Sequence, residues 1–208
     1  MFTRRIVLAS LLVLSLGASG GALGVAPAQA ETTAQNFIEG LAEEAVNALT
    51  AEGVTRADRI TRFGELLNHN FDVETIGKWV LGRYWRTASD VEKEAYLKLF
   101  EEYVIITYVE RFDQYSGEKL KVVKSVSEPG QDSLVFSEIQ RPTSSEPIRV
   151  NWRVRAEGDV YKIIDVYVEG ISMSQTQRKE FGSVIRANGG TVTGLLTALR
   201  AQIDKLNN

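Results

Sequence analysis

The chain has 208 residues, with 27 acidic and 24 basic side chains, one histidine and no cysteine, for a formal charge of −3. The mild acidity excludes a general nucleic-acid binder. The lack of thiols excludes a disulfide framework, a lipid-anchored cysteine and a thiolate metal site.

Residues 1–30 read as a secretory signal: Arg4 and Arg5 supply the basic start, residues 6–16 the apolar segment, and Ala28, Gln29 and Ala30 a small-residue cleavage site. Ser10, Ser15 and the glycine-rich run after Gly17 leave the apolar stretch short for a membrane span. The mature chain is expected to start at Glu31, exported by the general route or, given the paired arginines, by a twin-arginine route. Losing both arginines takes the formal charge from −3 to −5. Residues 31–208 suffice for one domain with its own core.

In 32–51, Phe37, Leu41, Ala45 and Leu49 fall four apart and predict an amphipathic helix. Gly53 ends it, and Thr55 caps a second helix carrying Ile60, Phe63 and Leu67. A third runs over 71–81 and stops at Gly82. Ser89 and Glu92 form a capping box that opens a long helix to about 114. The single histidine, His69, stands between Asn68 and Asn70 at a polar helix end, with no nucleophile or second metal ligand marked beside it.

Beyond Gly117 the period becomes two, giving strands over 119–127, 133–140, 148–156 and 160–170 in an antiparallel meander, with 141–147 as a longer polar loop. In the third strand Ile148, Val150, Trp152 and Val154 share one face, and Arg149, Asn151, Arg153 and Arg155 the other. In the fourth, Val160, Ile164, Val166 and Val168 point one way, and Tyr161, Ile163 and Tyr167 the other with Asp165 among them. Ser174 with Gln177 reads as a capping box for a helix over 175–187, and Thr191 caps the last helix. Helices on either side of a run of strands predict an α+β domain in which a curved four-stranded antiparallel sheet packs against N-terminal and C-terminal helices. An NTF2-like arrangement of this kind can enclose an apolar cavity.

Two segments carry a family resemblance. IDVYVEGISMSQTQRKEFG (164–182) and LGRYWRTASDVEKEAYLKLFEEY (81–103) resemble, in the same order, two blocks of the MlaC (toluene-tolerance) family of periplasmic phospholipid-binding proteins, with a looser likeness from about 34 to 199. The resemblance implies a carrier of phospholipid in the periplasm, working between an inner-membrane ABC transporter complex and an outer-membrane lipoprotein complex to maintain outer-membrane lipid asymmetry. It implies phospholipid as ligand with no other cofactor and no metal.

On that reading the acyl chains are expected to lie among Val80, Tyr84, Trp85, Phe100, Val104, Tyr108 and Phe112 on the helices, with Tyr115 beside them, and Val150, Trp152, Val154, Ile164 and Val166 on the sheet. Apolar stripes of this kind otherwise make plain core. Arg83, Arg141, Arg149 and Arg153 are candidates for a head group or a partner, the alternative being a solvated face. Asp165 and Glu169 are expected to be buried hydrogen-bonding residues where sheet meets helix.

Two other classes compete: an enzyme using Asp165 with Tyr161 or Tyr167 in an apolar pocket, and a ligand-free adaptor. No GxxxxGK[ST] phosphate loop occurs, so transport direction must be set elsewhere. A monomer is expected, since no coiled-coil stripe is visible.

Overall fold

The computed structural model describes residues 27–109, 112 and 115–207. The basic start and apolar segment of the expected signal lie outside these residues. In chain order come helices α1 (Pro27–Leu49), α2 (Arg56–Asn70) and α3 (Val73–Leu81), a 3-10 turn (Gly82–Arg86) and α4 (Asp90–Val109). Strands β1 (Lys119–Ser127), β2 (Asp132–Arg141), β3 (Ser144–Glu157), β4 (Val160–Val168) and β5 (Ile171–Ser172) follow, and α5 (Met173–Ala187) and α6 (Val192–Asn207) close the chain.

Local chemistry sets the helix starts. The Thr55 side chain accepts from Asp58 N at 3.2 Å while Thr55 N donates to Asp58 Oδ2 at 3.0 Å, a reciprocal box. Ser89 and Glu92 repeat the arrangement at the head of α4. The third helix starts two residues later than its apolar pattern suggests, because Phe71 pairs with Ile163 and Asp72 N donates to the Ile163 carbonyl at 3.0 Å. Asp72 then serves as the cap, accepting from Thr75 N. The expected end of α4 near residue 114 falls where 110, 111, 113 and 114 lie outside the described residues.

The sheet is an antiparallel meander in the order β1-β2-β3-β4-β5. It has five strands rather than four, because Glu169 and Gly170 turn at φ 49 and 79 and fold Ile171 and Ser172 back onto Val168 and Tyr167. β3 also begins earlier than expected. Arg141 pairs with Ser144 across a two-residue turn, and its guanidinium donates to Ser144 Oγ and the Glu146 carbonyl, so the expected loop is a hairpin end. Pro147 is tolerated there because β4 pairs with β3 only from Val150 onward.

A bulge at Ile164 changes the phase of β4. Arg153 stands opposite Asp165 but Val154 stands opposite Ile163. Tyr161, Ile163 and Val166 therefore share the face that packs under α1, where Ala34, Ile38, Val135, Val154 and Ile163 are buried together. The expected grouping of Ile164 with Val166 does not hold; unbroken alternation had been assumed.

A second core lies among the helices, built from Val80, Leu81, Tyr96, Phe100, Phe181, Ile185 and residues of α6. Phe181 meets the rings of Tyr96 and Phe100 edge-on at 6.3 and 6.2 Å. Gly77 brings α3 close to α4: a Cβ there would stand 2.9 Å from Leu97 Cδ2 and 3.2 Å from Phe100 Cδ1. The same approach lets the buried Tyr96 hydroxyl donate to the Gly77 carbonyl at 3.0 Å, and burial pushes that phenol well above its ordinary pKa.

Candidate functional site

The inner face of β3 presents the expected residues. Val150 and Val154 are buried and Trp152 is half-buried. The Trp152 indole N–H donates to Ser137 Oγ at 3.0 Å, and that hydroxyl donates to the Val150 carbonyl at 2.5 Å. A buried serine thus fixes the orientation of the largest side chain on this face.

Eight of the expected lining residues divide between the two cores, and the others, Val150, Tyr108, Phe112 and Ile164, belong to neither. Val80 and Phe100 are buried in the helical core, with Tyr84, Trp85 and Val104 packed on it. Val154, Trp152 and Val166 belong to the core beneath α1. Ile164 is the bulge residue and joins neither. Tyr108 is 41 % exposed on α4. The Phe112 ring lies 5.9 Å from that of Phe63, and Tyr115 is half-buried.

Two of the four candidate arginines, Arg149 and Arg153, hold a carboxylate, as does their neighbour Arg155, which was not a candidate. Arg149 pairs with Glu169 at 2.7 Å, and Arg153 with Glu128 and Arg155 with Asp132 at 2.8 Å each, all three through two guanidinium nitrogens. Glu169 is exposed rather than buried. Its carboxylate also accepts from Arg149 N at 2.7 Å, which lowers its pKa, and its backbone N donates to the Arg149 carbonyl at 2.9 Å.

Asp165 is buried as expected. Oδ1 accepts from Val166 N and Ser174 N at 2.9 and 3.2 Å, and Oδ2 accepts the Ser172 hydroxyl at 2.6 Å. This moves the α5 cap from the expected Ser174 to Ser172, whose Oγ accepts from Gln175 N, while Gln177 turns to Glu180. Of the expected Asp165–tyrosine set, Tyr167 is brought to Asp165, and its phenol is raised above its ordinary pKa by burial first and by the neighbouring carboxylate second, whereas Tyr161 is turned away. Tyr161 packs against Phe37 at 5.9 Å beneath α1, and Tyr167 lies under the Arg153 guanidinium. His69 is exposed, and among the described residues no cluster of three metal-ligating side chains occurs.

Open hollows mark the surface of the described residues. One, of about 410 Å³, lies by the β2–β3 hairpin among Glu138, Arg141, Pro147 and Arg149. Another, of about 530 Å³, lies between α3, the 3-10 turn and α5, where Trp79, Arg83, Tyr84, Arg178, Lys179 and Arg186 meet. Neither is the enclosed apolar cavity expected between sheet and helices. Only Arg83 and Tyr84 of the second group were anticipated as functional. The spacing of Arg178, Gly182 and Arg186 along one helix face is the signal that could have found the rest. Arg83 donates to the Tyr84 hydroxyl at 3.0 Å and holds its pKa below the ordinary phenol value.

No helix among the described residues is long and apolar enough to cross a membrane. An α+β protein with one five-stranded antiparallel meander and helices packed on it is therefore the class that the fold defines. The chain belongs to the MlaC protein family, whose model matches residues 38–201. It is 24 % identical over 122 residues to the intermembrane phospholipid transport system binding protein MlaC of Haemophilus influenzae. That match takes in 57 % of this chain, which spans 56 % of the relative's length. The fold is shared with a solved phospholipid-binding protein of Ralstonia solanacearum in complex with a phospholipid, at a TM-score of 0.73 and 19 % identity, over 84 % of this chain and 99 % of that one.

Proposed function

We propose that the protein is a soluble periplasmic phospholipid carrier that takes lipid between an outer-membrane lipoprotein complex and an inner-membrane ABC transporter complex, as a monomer and without catalysis. The observation that carries this reading is membership of the MlaC family over residues 38–201. The fold shared with a phospholipid-bound protein adds support. The acyl chains are assigned to the zone between the β3 face, with Val150, Trp152 and Val154, and the helices bearing Val80, Tyr84, Trp85, Phe100 and Val104. Tyr108, Phe112, Ile164 and Val166 stand at its margins. This zone opens as the lipid enters.

The energetics suit a carrier. Burying acyl chain gains roughly 0.8 kcal/mol per methylene, so two chains of about fifteen methylenes gain on the order of 24 kcal/mol gross against water. A bilayer offers the same gain. Exchange between protein and membrane is then close to neutral, and a partner can tip it either way.

Organic extraction of protein purified without detergent, followed by lipid mass spectrometry, tests the reading. Stoichiometric phospholipid is expected; a folded, lipid-free protein would return the choice to the adaptor or the enzyme.

A further inference from the structure

Four cations gather around the hollow between α3, the 3-10 turn and α5. Arg149, Arg153 and Arg155 each hold a carboxylate. Among the described residues Arg83, Arg178, Lys179 and Arg186 have none within ion-pair distance, and all four are exposed. Gathering four unneutralised charges on one face costs self-repulsion, and in a chain of net charge −3 this patch carries the opposite sign to the whole.

The site is built on rigid elements. The Arg178 guanidinium lies 4.9 Å over the Trp79 ring, and the Arg83 guanidinium 4.9 Å over the Tyr84 ring. A guanidinium stacked by its face keeps its in-plane N–H edges free for an oxyanion. Gly82, at φ 60, makes room for the first stack, since a Cβ there would fall 2.8 Å from Arg178 Nε. On α5, Arg178 and Arg186 stand eight residues apart on one face with Gly182 between them, which leaves the floor of the hollow without a side chain. The Tyr84 oxygen accepts from Arg83, so its own proton is free to donate.

We propose that this hollow is a phosphate-binding site, which takes the phosphate of a phosphoester ligand on Arg83, Arg178, Lys179 and Arg186. A carboxylate is planar and is satisfied by one bidentate arginine, whereas a tetrahedral phosphate offers three or four oxygens and up to two charges to donors converging from several sides. The hollow is open and about 530 Å³ in volume, which leaves room for a phosphoester group among the four cations. The phosphate has two sources, a free phosphoester in solution or a lipid head group. The inference does not rest on the acyl-chain reading: Arg83, Arg178, Lys179 and Arg186 are exposed and none of them is assigned to the acyl chains, Tyr84 being the one residue shared by both.

Calorimetry at low ionic strength, with inorganic phosphate and glycerol 3-phosphate added to the full chain, tests the first source. Flotation with phosphatidylcholine vesicles, with and without phosphatidic acid, tests the second. Saturable binding in solution supports the proposal with a free ligand. Binding only to vesicles containing phosphatidic acid supports it with a head group. In either case Arg178→Gln and Lys179→Gln should each weaken binding at least tenfold with an unchanged circular dichroism spectrum, and Arg200→Gln, which removes the same charge from exposed α6 surface, should not. No binding in either arm overturns the proposal, as does binding that survives Arg178→Gln in folded protein. Binding of a deca-glutamate peptide through these arginines, with none of phosphate, overturns the ligand class.

Discussion

The Asp165 carboxylate accepts the Ser172 hydroxyl at 2.6 Å, joining the end of β4 to the residue that caps α5. The same carboxylate takes the N–H groups of Val166 and Ser174, so three donors lose their partner together if it is removed. Asp165→Ala is expected to cost about 3 kcal/mol, at the upper end of what hydrogen bonds to a charged group contribute. Urea denaturation of the variant checks this. A change below about 1 kcal/mol would show that solvent replaces the carboxylate at the junction.

The contact between Gly77 and Tyr96 gives a second expectation. Tyr96→Phe removes the donor to the Gly77 carbonyl within a buried cluster and should cost about 1–2 kcal/mol. Gly77→Ala should cost about 1–3 kcal/mol, because the new methyl meets Leu97 and the Phe100 ring rather than open space. Thermal melts of both variants decide the matter, and an unchanged melting temperature for Gly77→Ala would mean that the Leu97 and Phe100 side chains yield to the new methyl.

For the carrier reading, Trp152→Arg places a charge on the inner sheet face and leaves the buried Ser137 hydroxyl without its indole donor. Co-purifying phospholipid should be lost. Arg149→Ala, on the outer face, should retain it. Lipid content is read per mole of folded protein, and full retention in a folded Trp152→Arg variant would remove Trp152 from the lining.

Stability should fall at acid pH. Hydrogen bonds to the Ser89 and Thr55 caps hold the pKa values of Glu92 and Asp58 below the ordinary carboxylate range, and Arg149 does the same for Glu169. A carboxylate with a lowered folded pKa binds fewer protons than in the unfolded chain. Its stabilisation is therefore complete above the unfolded value, about 4, and is lost as pH falls through the folded one. Urea midpoints should be flat from neutral pH to about 5 and decline below it. Glu92→Gln should shallow that decline, and an identical slope in the variant would show that Glu92 does not contribute.

Much of this architecture was readable because it rests on local chemistry. The Thr55 and Ser89 caps and the alternation of Val150, Trp152 and Val154 each depend on residues within a few positions of one another. What was missed depends on distant or irregular partners. The bulge at Ile164 follows from how β4 meets β3 and Phe71, and Ser172 displaces Ser174 as the cap because Asp165 claims the Ser174 N–H. Arg178 and Arg186 join Arg83 only through the packing of α5 on α3, roughly a hundred residues away in sequence. Of the residues expected to line a pocket, Val80, Tyr84, Trp85, Phe100 and Val104 pack with one core and Trp152, Val154 and Val166 with the other, a division that only the tertiary packing makes.

That separation gives the molecule a parting line. The buried side chains under α1 interlock with the sheet, and those of α3, α4, α5 and α6 interlock with one another. On the carrier reading proposed above, a guest entering between the two groups would leave each one's own packing intact and would strain instead the contacts of β4 with α2, α3 and α5 that bridge them.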